Sequence, residues 1–402
     1  MILLLQIIFW ISALALVHSY VIYPYLLSTW AAQRPPNQVV YEQDQEAWPT
    51  VAVIMSLYNE ERVIEEKLQA LLAISYPANK LFFYIGSDCS EDQTNAIVER
   101  YAQQHATVQF FGFRQRRGKP GVVNELVARA TADFAEAGEL VLVVTDANVM
   151  PHPQAFRHLI KHFKNKEIEV VDANMVHTGM EKDRGISQSE DTYISREVWL
   201  KHWEGKLWGQ MIGPFGGCYA IRASAFTPVP DNYLVDDFFI TLKVLEKGGK
   251  AINEMEAICY EAVSHEIAEE YRRKRRISAG NFQNMHTFRH LWWPPTTTLG
   301  YAFFSHKILR WLGPVFILLI FLSSVLLSLL GSSFYQYISL LLIGGMIGVP
   351  LLDILLRRVN VNILAFRNIR YFLIMNMALL EGLFNYLKGI KTNVWQPPKR
   401  VN

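Results

Sequence analysis

Two pairs of neighbouring polar side chains have the types and spacing needed to bind a metal ion or move a proton. Asp146 and Asn148 are separated by one residue and follow the apolar run 140–144. A carboxylate and an amide oxygen so placed can share one Mg²⁺, which prefers one or two carboxylates together with phosphate oxygens and water. Asp236 and Asp237 are adjacent and precede an apolar helical pattern. One of them could act as a general base, or both could simply complement the dipole of that helix.

Polar residues also follow two other predicted strands. Tyr58, Asn59 and Glu60 come after one β-rich run, and Asp88 comes after the next. Open α/β sheets bind ligands outside the carboxyl ends of their strands, so we expect these residues to converge with Asp146 on one edge. Each of them alone could be an ordinary turn residue, since Asn and Asp are common in turns. Their joint placement favours a shared ligand site.

A dense basic loop, residues 114–119, ends the third predicted strand. Its arginines and Lys119 carry charge suited to a phosphate, and Gly118 lets a ligand approach the backbone closely. A P-loop ATPase is excluded because five rather than four residues separate Gly112 from Gly118, and Pro120 stands where Ser or Thr must bind magnesium. The sequence also lacks a GxGxxG pattern, which disfavours a dinucleotide-binding oxidoreductase. A diphosphate ligand is therefore attractive, with a solvated basic turn as the alternative.

Two further segments could take part in ligand binding. Gly216 and Gly217 belong to a glycine-rich segment, 213–218, that suits close approach of a ligand to the backbone. Residues 272–276 are five consecutive basic residues. Such a block could bind nucleic acid or anionic lipid, or it could stabilise phosphate in an active site through Arg276.

The elements that must position these residues alternate between strand and helix patterns. β-rich runs at 51–56, 81–85, 108–113 and 140–144 are separated by stretches with apolar residues at helical spacing. This alternation predicts an α/β fold with a mostly parallel sheet and helices on both faces.

The composition narrows the class of protein. Of the 402 residues, 51% are hydrophobic and 19% charged, and the net charge is +2. These values exclude a disordered chain, a collagen and a highly charged nucleic-acid binder. The three cysteines are widely spaced and form no CxxC, which indicates neither a disulfide framework nor a zinc site. They are expected to be core thiols in a reducing compartment.

The excess hydrophobicity lies at the two ends of the chain. Residues 1–33 contain no charged side chain. This stretch is long enough for the roughly 20 apolar residues of a membrane span. The stretch lacks the basic start and short apolar region of a signal peptide. Arg34 follows it, so the positive-inside rule places the subsequent domain in the cytoplasm. The uncharged runs 311–330 and 334–352 predict two more spans.

The sequence thus predicts five regions. An aromatic segment at 291–310 resembles an interfacial segment, and the stretch 371–387 either crosses the membrane or lies in its interface. The predicted regions are an N-terminal transmembrane helix (1–33), a cytoplasmic domain (34–290), an interfacial segment (291–310), two transmembrane helices (311–356), and a third hydrophobic segment with the tail (357–402).

The ordered set of motifs resembles family 2 glycosyltransferases, in the membrane-bound bacterial branch that includes cellulose, hyaluronan and poly-N-acetylglucosamine synthases. The resemblance covers about residues 48–290. The motifs that carry it are Tyr58-Asn59-Glu60-Glu61, residues 86–92 around Asp88, the loop to Lys119, Asp146-Ala147-Asn148, Gly216-Gly217, Asp236-Asp237 and 276–280. The resemblance implies a GT-A fold, a nucleotide-sugar donor, with a UDP-sugar expected, and an inverting single displacement.

The resemblance also implies where the donor binds. Tyr58, Asn59, Glu60 and Asp88 would hold the nucleoside part, and Lys119 would contact the diphosphate.

Catalytic roles follow from the same resemblance. Asp146 matches the first Asp of the family's DxD motif, and Asn148 replaces the second, metal-binding Asp. Together they would hold Mg²⁺ or Mn²⁺, with the amide binding more weakly than a carboxylate. Asp237 matches the base of the family's acidic pair, beside Asp236, and Arg276 matches the Arg of its QxxRW motif near the diphosphate.

On the acceptor side, Gly216 and Gly217 match the family's glycine-containing loop. Arg273 and Ile277 replace the Gln and Trp of QxxRW. Because that Trp lines the acceptor end in processive synthases, its replacement argues against processive synthesis of a polymer.

The sequence therefore predicts an inverting hexosyl- or N-acetylhexosaminyltransferase of the bacterial inner membrane, multi-pass, with its catalytic domain in the cytoplasm. The acceptor would be a polysaccharide or a lipid-linked saccharide. Membrane lipid and other polysaccharide-synthesis subunits would be partners, and nucleic acid would not be one. The alternative is a non-catalytic subunit that binds nucleotide sugar or polymer, which the Asn148 and Ile277 replacements favour.

Overall fold

The computed structural model describes residues 1–42, 47–136, 138–178, 187–262, 267–359, 361–390 and 393. Most of the predicted tail, beyond residue 390, lies outside this described part. The chain divides into two compact units. The first comprises Met1–Thr29, Met180–Arg196 and Ser264–Gly389, and the second comprises Trp30–Gly179, Glu197–Val263 and Ile390–Asn402.

The second unit is built on one sheet of eight strands among the described residues. The strands are β1 (Thr50–Leu57), β2 (Leu81–Asp88), β3 (Val108–Phe113), β4 (Leu140–Thr145), β5 (Val149–Pro151), β6 (Ile168–Thr178), β7 (Cys218–Arg222) and β8 (Lys250–Ala262).

Helices occur in both units. In chain order they are α1 (Ile2–Val17), α2 (Tyr23–Ala32), α3 (Ile64–Leu72), α4 (Thr94–Gln104), α5 (Gly118–Asp133), α6 (Ala155–Ile160), α7 (Ser187–Trp208), α8 (Asp236–Glu246), α9 (Ile267–Thr287), α10 (Arg289–Trp292), α11 (Thr298–Phe303), α12 (Leu309–Trp311), α13 (Gly313–Leu329), α14 (Ser333–Ile343), α15 (Val349–Arg358) and α16 (Leu364–Leu387).

The sheet is mixed, with the strand order β3-β2-β1-β4-β7-β6-β8-β5. The pairs β3–β2, β2–β1, β1–β4 and β6–β8 are parallel, whereas β4–β7, β7–β6 and β8–β5 are antiparallel. The prediction of an α/β fold is confirmed, but the prediction of a mostly parallel sheet is wrong. The regular alternation on which it rested ends at β4. The sheet neighbour of β4 on the side away from β1 is β7, which comes much later in the chain and pairs with it antiparallel, so no strand–helix–strand crossover continues the parallel order.

Both halves of the sheet contribute to the apolar core, and the parallel half sets the position of the polar residues. β4 is buried along its whole length and β1 along most of it, as expected for β-branched runs covered on both faces. α3 adds Ile64, Leu68 and Leu71, which recur at helical spacing and are buried. Because β1, β2 and β4 run in the same direction, the residues that follow them emerge at one edge.

The first unit contains the apolar helices. Among the described residues, Ile2–Ala32 and Ser333–Arg358 are long and apolar enough to cross a membrane. The segments Thr298–Trp311 and Gly313–Leu329 reach that standard only as a pair, bent by 61°, so they would add at most one more span. α16 covers the stretch whose crossing the sequence leaves open, and the predicted domain boundaries stay predictions.

Candidate active site

A buried lysine holds the turn that carries Asp146 and Asn148 in place. Lys67 is fully buried, and its Nζ donates to Thr145 Oγ1 at 2.9 Å and to the carbonyl oxygen of Val149. These two residues flank the turn on either side. Burial lowers the pKa of Lys67 to about 8, against the opposing effect of neighbouring acidic groups. The lysine therefore fixes both ends of the turn, and no carboxylate among the described residues bonds to its ammonium group.

Lys119 lies between the two acidic motifs that the sequence singles out. Its Nζ is 2.7 Å from Asp146 Oδ1 and 3.9 Å from Asp236 Oδ2. Burial would lower the pKa of Lys119, but the carboxylates of Asp146, Asp236 and Asp237 outweigh it and raise that pKa. The basic loop therefore meets both acidic motifs. Asp146 follows β4, whereas Asp236 and Asp237 lie at the start of α8, where no strand end predicts them. We call these four residues the lysine–aspartate cluster.

Asp237 is the member of the cluster with the strongly altered acidity. Burial and the charge of Asp236 raise the pKa of Asp237 to about 7, against the opposing charge of Lys119. Gly216 lies directly against this carboxylate. It has φ +80°, and a Cβ atom at this position would lie 2.4 Å from Asp237 Oδ2. Any side chain at Gly216 would therefore displace the candidate base.

Gly217 connects the same loop to the turn that carries Asp146 and Asn148. Its carbonyl oxygen accepts from the backbone nitrogen of Asp146 at 3.0 Å and from Thr145 Oγ1 at 3.0 Å. A Cβ atom on Gly217 would lie 2.9 Å from Val149 Cγ2. The two glycines thus let the loop contact both acidic motifs, so the structure brings together the predicted acceptor-side and catalytic residues.

A buried ion pair supports the glycine-rich loop 213–218. Lys201 Nζ lies 2.5 Å from Asp172 Oδ2, and the two side chains are 1% and 0% exposed. The backbone nitrogen of Phe215 donates to the same carboxylate at 3.3 Å, and Lys201 Nζ lies 3.4 Å from the centre of the Phe215 ring. Sequence reasoning missed this pair. No local pattern indicates the pair, because Asp172 and Lys201 are 29 residues apart in the chain.

Asp88 organises the basic loop. It is 2% exposed and accepts from Arg116 Nε at 3.0 Å and from the backbone nitrogens of Arg117 and Gly118 at 2.6 and 3.0 Å. The guanidinium carbon of Arg116 lies 3.3 Å above the ring of Tyr58. Tyr58 and Asp88 therefore lie together at the start of α5, and their predicted contact with a nucleoside stays a prediction.

Asn59 and Glu60 lie next to Tyr58, in the turn after β1. Asn59 has φ 53° and its Oδ1 accepts from the backbone nitrogen of Glu91 at 2.9 Å. The backbone nitrogen of Glu60 donates to Thr94 Oγ1 at 2.8 Å. Asn tolerates this left-handed backbone conformation better than most residues. The turn after β1 is therefore tied to the turn after β2, which places the predicted donor-binding residues on one edge.

The oxygen atoms at the turn fit a divalent ion bound together with a diphosphate. Asn148 Nδ2 donates to Glu261 Oε1 at 3.0 Å, so the amide oxygen Oδ1 faces away from this glutamate. The other oxygen of Glu261 lies 4.0 Å from His177 Nε2. The described residues contain no group of three His, Cys, Asp or Glu side chains that could hold a metal. An ion would therefore depend on Asp146, Asn148 and phosphate oxygens, which is the pattern that Mg²⁺ favours.

Arg276 lies on α9, in the first unit, whereas the other predicted site residues belong to the second unit. Its predicted place beside the diphosphate stays a prediction.

Comparison with known proteins identifies the family. Residues 52–227 match Glycosyl transferase family 2, and residues 141–352, more than half of the chain, match Glycosyl transferase family group 2. The protein belongs to this family of glycosyltransferases. The predicted family 2 resemblance is confirmed, and the assignment to the cellulose and hyaluronan synthase branch stays a prediction.

Two curated relatives share a quarter or less of their residues with the chain over the matched regions. The chain is 24% identical over 252 residues to the probable glycosyltransferase YdaM of Bacillus subtilis, covering 60% of this chain and 57% of that protein. It is 23% identical over 279 residues to the beta-monoglucosyldiacylglycerol synthase of Synechocystis sp., covering 66% and 55%. The chain thus spans little more than half the length of these relatives.

A solved structure shares the fold over nearly the whole chain. The mannosyltransferase PcManGT from Pyrobaculum calidifontis, solved in complex with GDP-Man and Mn²⁺, superposes with a TM-score of 0.70. The identity is 21%, and the match covers 95% of this chain and 99% of PcManGT. At this identity the likeness concerns the fold, and it supports the predicted GT-A-type architecture.

Proposed function

We propose that the protein transfers a hexosyl or N-acetylhexosaminyl group from a nucleoside diphosphate sugar to a lipid or lipid-linked acceptor, with inversion at the anomeric carbon. The lysine–aspartate cluster carries this proposal. It combines a candidate base, a cation for the diphosphate and a metal-binding turn at the edge where α/β sheets bind ligands. The family supports the reaction class.

Asp237 is the proposed base. It takes the proton from the acceptor hydroxyl while that oxygen forms a bond to the anomeric carbon and the bond from this carbon to the diphosphate breaks. A pKa of about 7 suits this task, because a general base works best when its pKa lies near the operating pH. Gly216 leaves room for the acceptor only because it has no side chain beside Asp237.

Lys119 is the proposed partner of the departing diphosphate. In the cluster it offsets the charges of Asp146 and Asp236, and a diphosphate would offer it a further anionic contact. A divalent ion held by Asp146 and Asn148 would neutralise the charge that develops on the leaving group. Tyr58, which stacks under Arg116, would line the nucleoside side of the donor.

The membrane helices and one relative support a lipid acceptor. Two helices of the described chain are long and apolar enough to cross a membrane, and the Synechocystis relative is named as a glycolipid synthase. We therefore propose a multi-pass protein of the inner membrane whose second unit is cytoplasmic. Diacylglycerol and polyprenyl phosphate are the first acceptors to test, and a growing polysaccharide is the next.

The direct test is release of nucleoside diphosphate by the purified protein in detergent. A panel of UDP- and GDP-sugars would be supplied with Mg²⁺ or Mn²⁺ and either a defined lipid or a membrane lipid extract. We expect turnover with one donor, loss of turnover in Asp237→Asn, and retention in Asp231→Asn, which removes an exposed aspartate of the same unit. Equal turnover in Asp237→Asn and the unmutated protein would contradict the proposal.

A non-catalytic nucleotide-sugar-binding subunit is the second candidate, because Asn148 replaces the carboxylate that binds metal in most of the family. It predicts donor binding without turnover for every donor and acceptor in the panel.

A further inference from the structure

The junction between α15 and α16 carries an excess of positive charge. Between residues 353 and 370 the chain contains four arginines and a single acidic residue, namely Arg357, Arg358, Arg367, Arg370 and Asp353. Arg357 and Arg358 lie in the last turn of α15, where cations complement the helix dipole. That explanation does not extend to Arg367 and Arg370, which lie near the start of α16.

The single acidic residue of the junction is already engaged. Arg370 Nε lies 2.7 Å from Asp353 Oδ2, with the two side chains 12% and 2% exposed. Arg367 is 7% exposed, and its Nε has no hydrogen-bond partner among the residues that the structure describes. A buried charged donor without an acceptor is costly, since its lost hydration is not replaced. A further anion at this junction could therefore accept a hydrogen bond from Arg367.

The electrostatics of the junction point the same way. Burial lowers the pKa of Arg370, and repulsion from Arg357 and Arg367 adds to this effect against the attraction of Asp353. Ile363, the N-cap residue of α16, makes no side-chain capping hydrogen bond, and the first turn of the helix contains no acidic residue. A helix N-terminus carries partial positive charge and favours anions. Arginines placed there increase the positive potential, and no described carboxylate of that turn offsets it.

We infer that Arg357, Arg367 and Arg370 form a binding site for the phosphate group of an anionic lipid. Arg357 lies at the end of Ser333–Arg358, one of the helices long and apolar enough to cross a membrane, which is where lipid headgroups are found. The guanidinium groups suit phosphate because they donate in a planar, bidentate arrangement. The phosphate could belong to a bulk phospholipid or to an isoprenyl phosphate. The inference does not depend on the proposed sugar transfer.

Native mass spectrometry of the full chain in detergent tests the site. The protein would be titrated with phosphatidylglycerol, with a short-chain isoprenyl monophosphate and with zwitterionic phosphatidylcholine. Arg357→Gln and Arg358→Gln form a matched pair, because both arginines are exposed neighbours and lose the same charge. We expect Arg357→Gln and Arg367→Gln to weaken binding of the anionic lipid by roughly tenfold, the loss typical of a hydrogen bond between charged groups, and Arg358→Gln to weaken it far less.

The results separate the sources of the phosphate. Tighter binding of phosphatidylglycerol supports a bulk phospholipid, and tighter binding of the isoprenyl phosphate supports a lipid carrier. Equal weakening of anionic-lipid binding in Arg357→Gln and Arg358→Gln would contradict a specific site and indicate general attraction to the membrane. Binding of phosphatidylcholine as tight as that of the anionic lipids would contradict it as well. Since Arg357 is exposed, its variant keeps the test valid even if Arg367→Gln fails to fold.

Discussion

Two lysine–aspartate pairs of the second unit, Lys119–Asp146 and Lys201–Asp172, have the same chemistry in opposite surroundings. Lys119 and Asp146 are 34% and 38% exposed, whereas Lys201 and Asp172 are 1% and 0% exposed. A partly exposed pair is worth little, so a ligand can exchange for one of its members. A buried pair is costly to break because each charge is left without solvent. The partly exposed pair is the one that we propose meets a substrate, whereas the buried pair holds the loop 213–218 in place.

Removing Lys201 should give the largest effect on stability. Lys201→Met leaves the Asp172 carboxylate buried and without its cation, so we expect the free energy of unfolding to fall by about 3–5 kcal/mol. Urea unfolding in detergent measures it. Lys166→Met breaks the exposed pair with Glu139 and should cost no more than about 1 kcal/mol. Equal losses in the two variants would show that the buried pair has no special role.

Removing Lys119 should affect turnover while leaving stability nearly unchanged. Lys119→Ala deletes the cation proposed to meet the diphosphate, and we expect kcat to fall by about 10²-fold or more. The free energy of unfolding should change by no more than about 1 kcal/mol, because the pair is partly exposed. Lys119→Arg keeps the charge and should recover part of the rate. Unchanged turnover in Lys119→Ala, or a loss of stability as large as in Lys201→Met, would reverse the contrast between the pairs.

A smaller effect is expected at Glu261, which orients the Asn148 amide. Glu261→Ala should weaken Mn²⁺ binding in the presence of a nucleoside diphosphate by about tenfold, since the amide oxygen is no longer held in place. The electron paramagnetic resonance signal of free Mn²⁺ measures this without requiring turnover. Glu256→Ala removes an exposed glutamate of the same strand and should leave binding unchanged. Mn²⁺ binding by Glu261→Ala equal to that of the unmutated protein would exclude this role.

The sequence predicted the parts of the fold that depend on local patterns. The runs that became β1, β2, β3 and β4 are apolar and separated by helical periodicity, so both their type and their shared direction could be inferred. β5 has only three residues and carries no pattern of its own. The antiparallel arrangement of β7 depends on pairing with β4 and β6, far away in the chain. The second half of the sheet was therefore beyond local reasoning.

The same distinction applies to the site. Asp146 could be predicted from the convergence of strand ends and Lys119 from the charge of the basic loop, whereas the choice of Asp237 within the acidic pair rested on the family resemblance. Lys201 and Glu261 could not be predicted, because their partners lie 29 and 113 residues away and neither residue belongs to a motif. The candidate binding residues lie in recognisable sequence motifs, whereas Lys201 and Glu261 are connected to the site only through contacts in the folded chain.

The most direct test of the central claim, that Asp237 is the base, is the pH dependence of kcat. The ionised carboxylate is the active form, so kcat should be constant above a pH of about 7 and fall about tenfold per unit below it. Asp236→Asn removes a charge that raises the pKa of Asp237, so its midpoint should move to lower pH. A profile whose midpoint is the same in the unmutated protein and Asp236→Asn, or that persists in Asp237→Asn, would contradict the account.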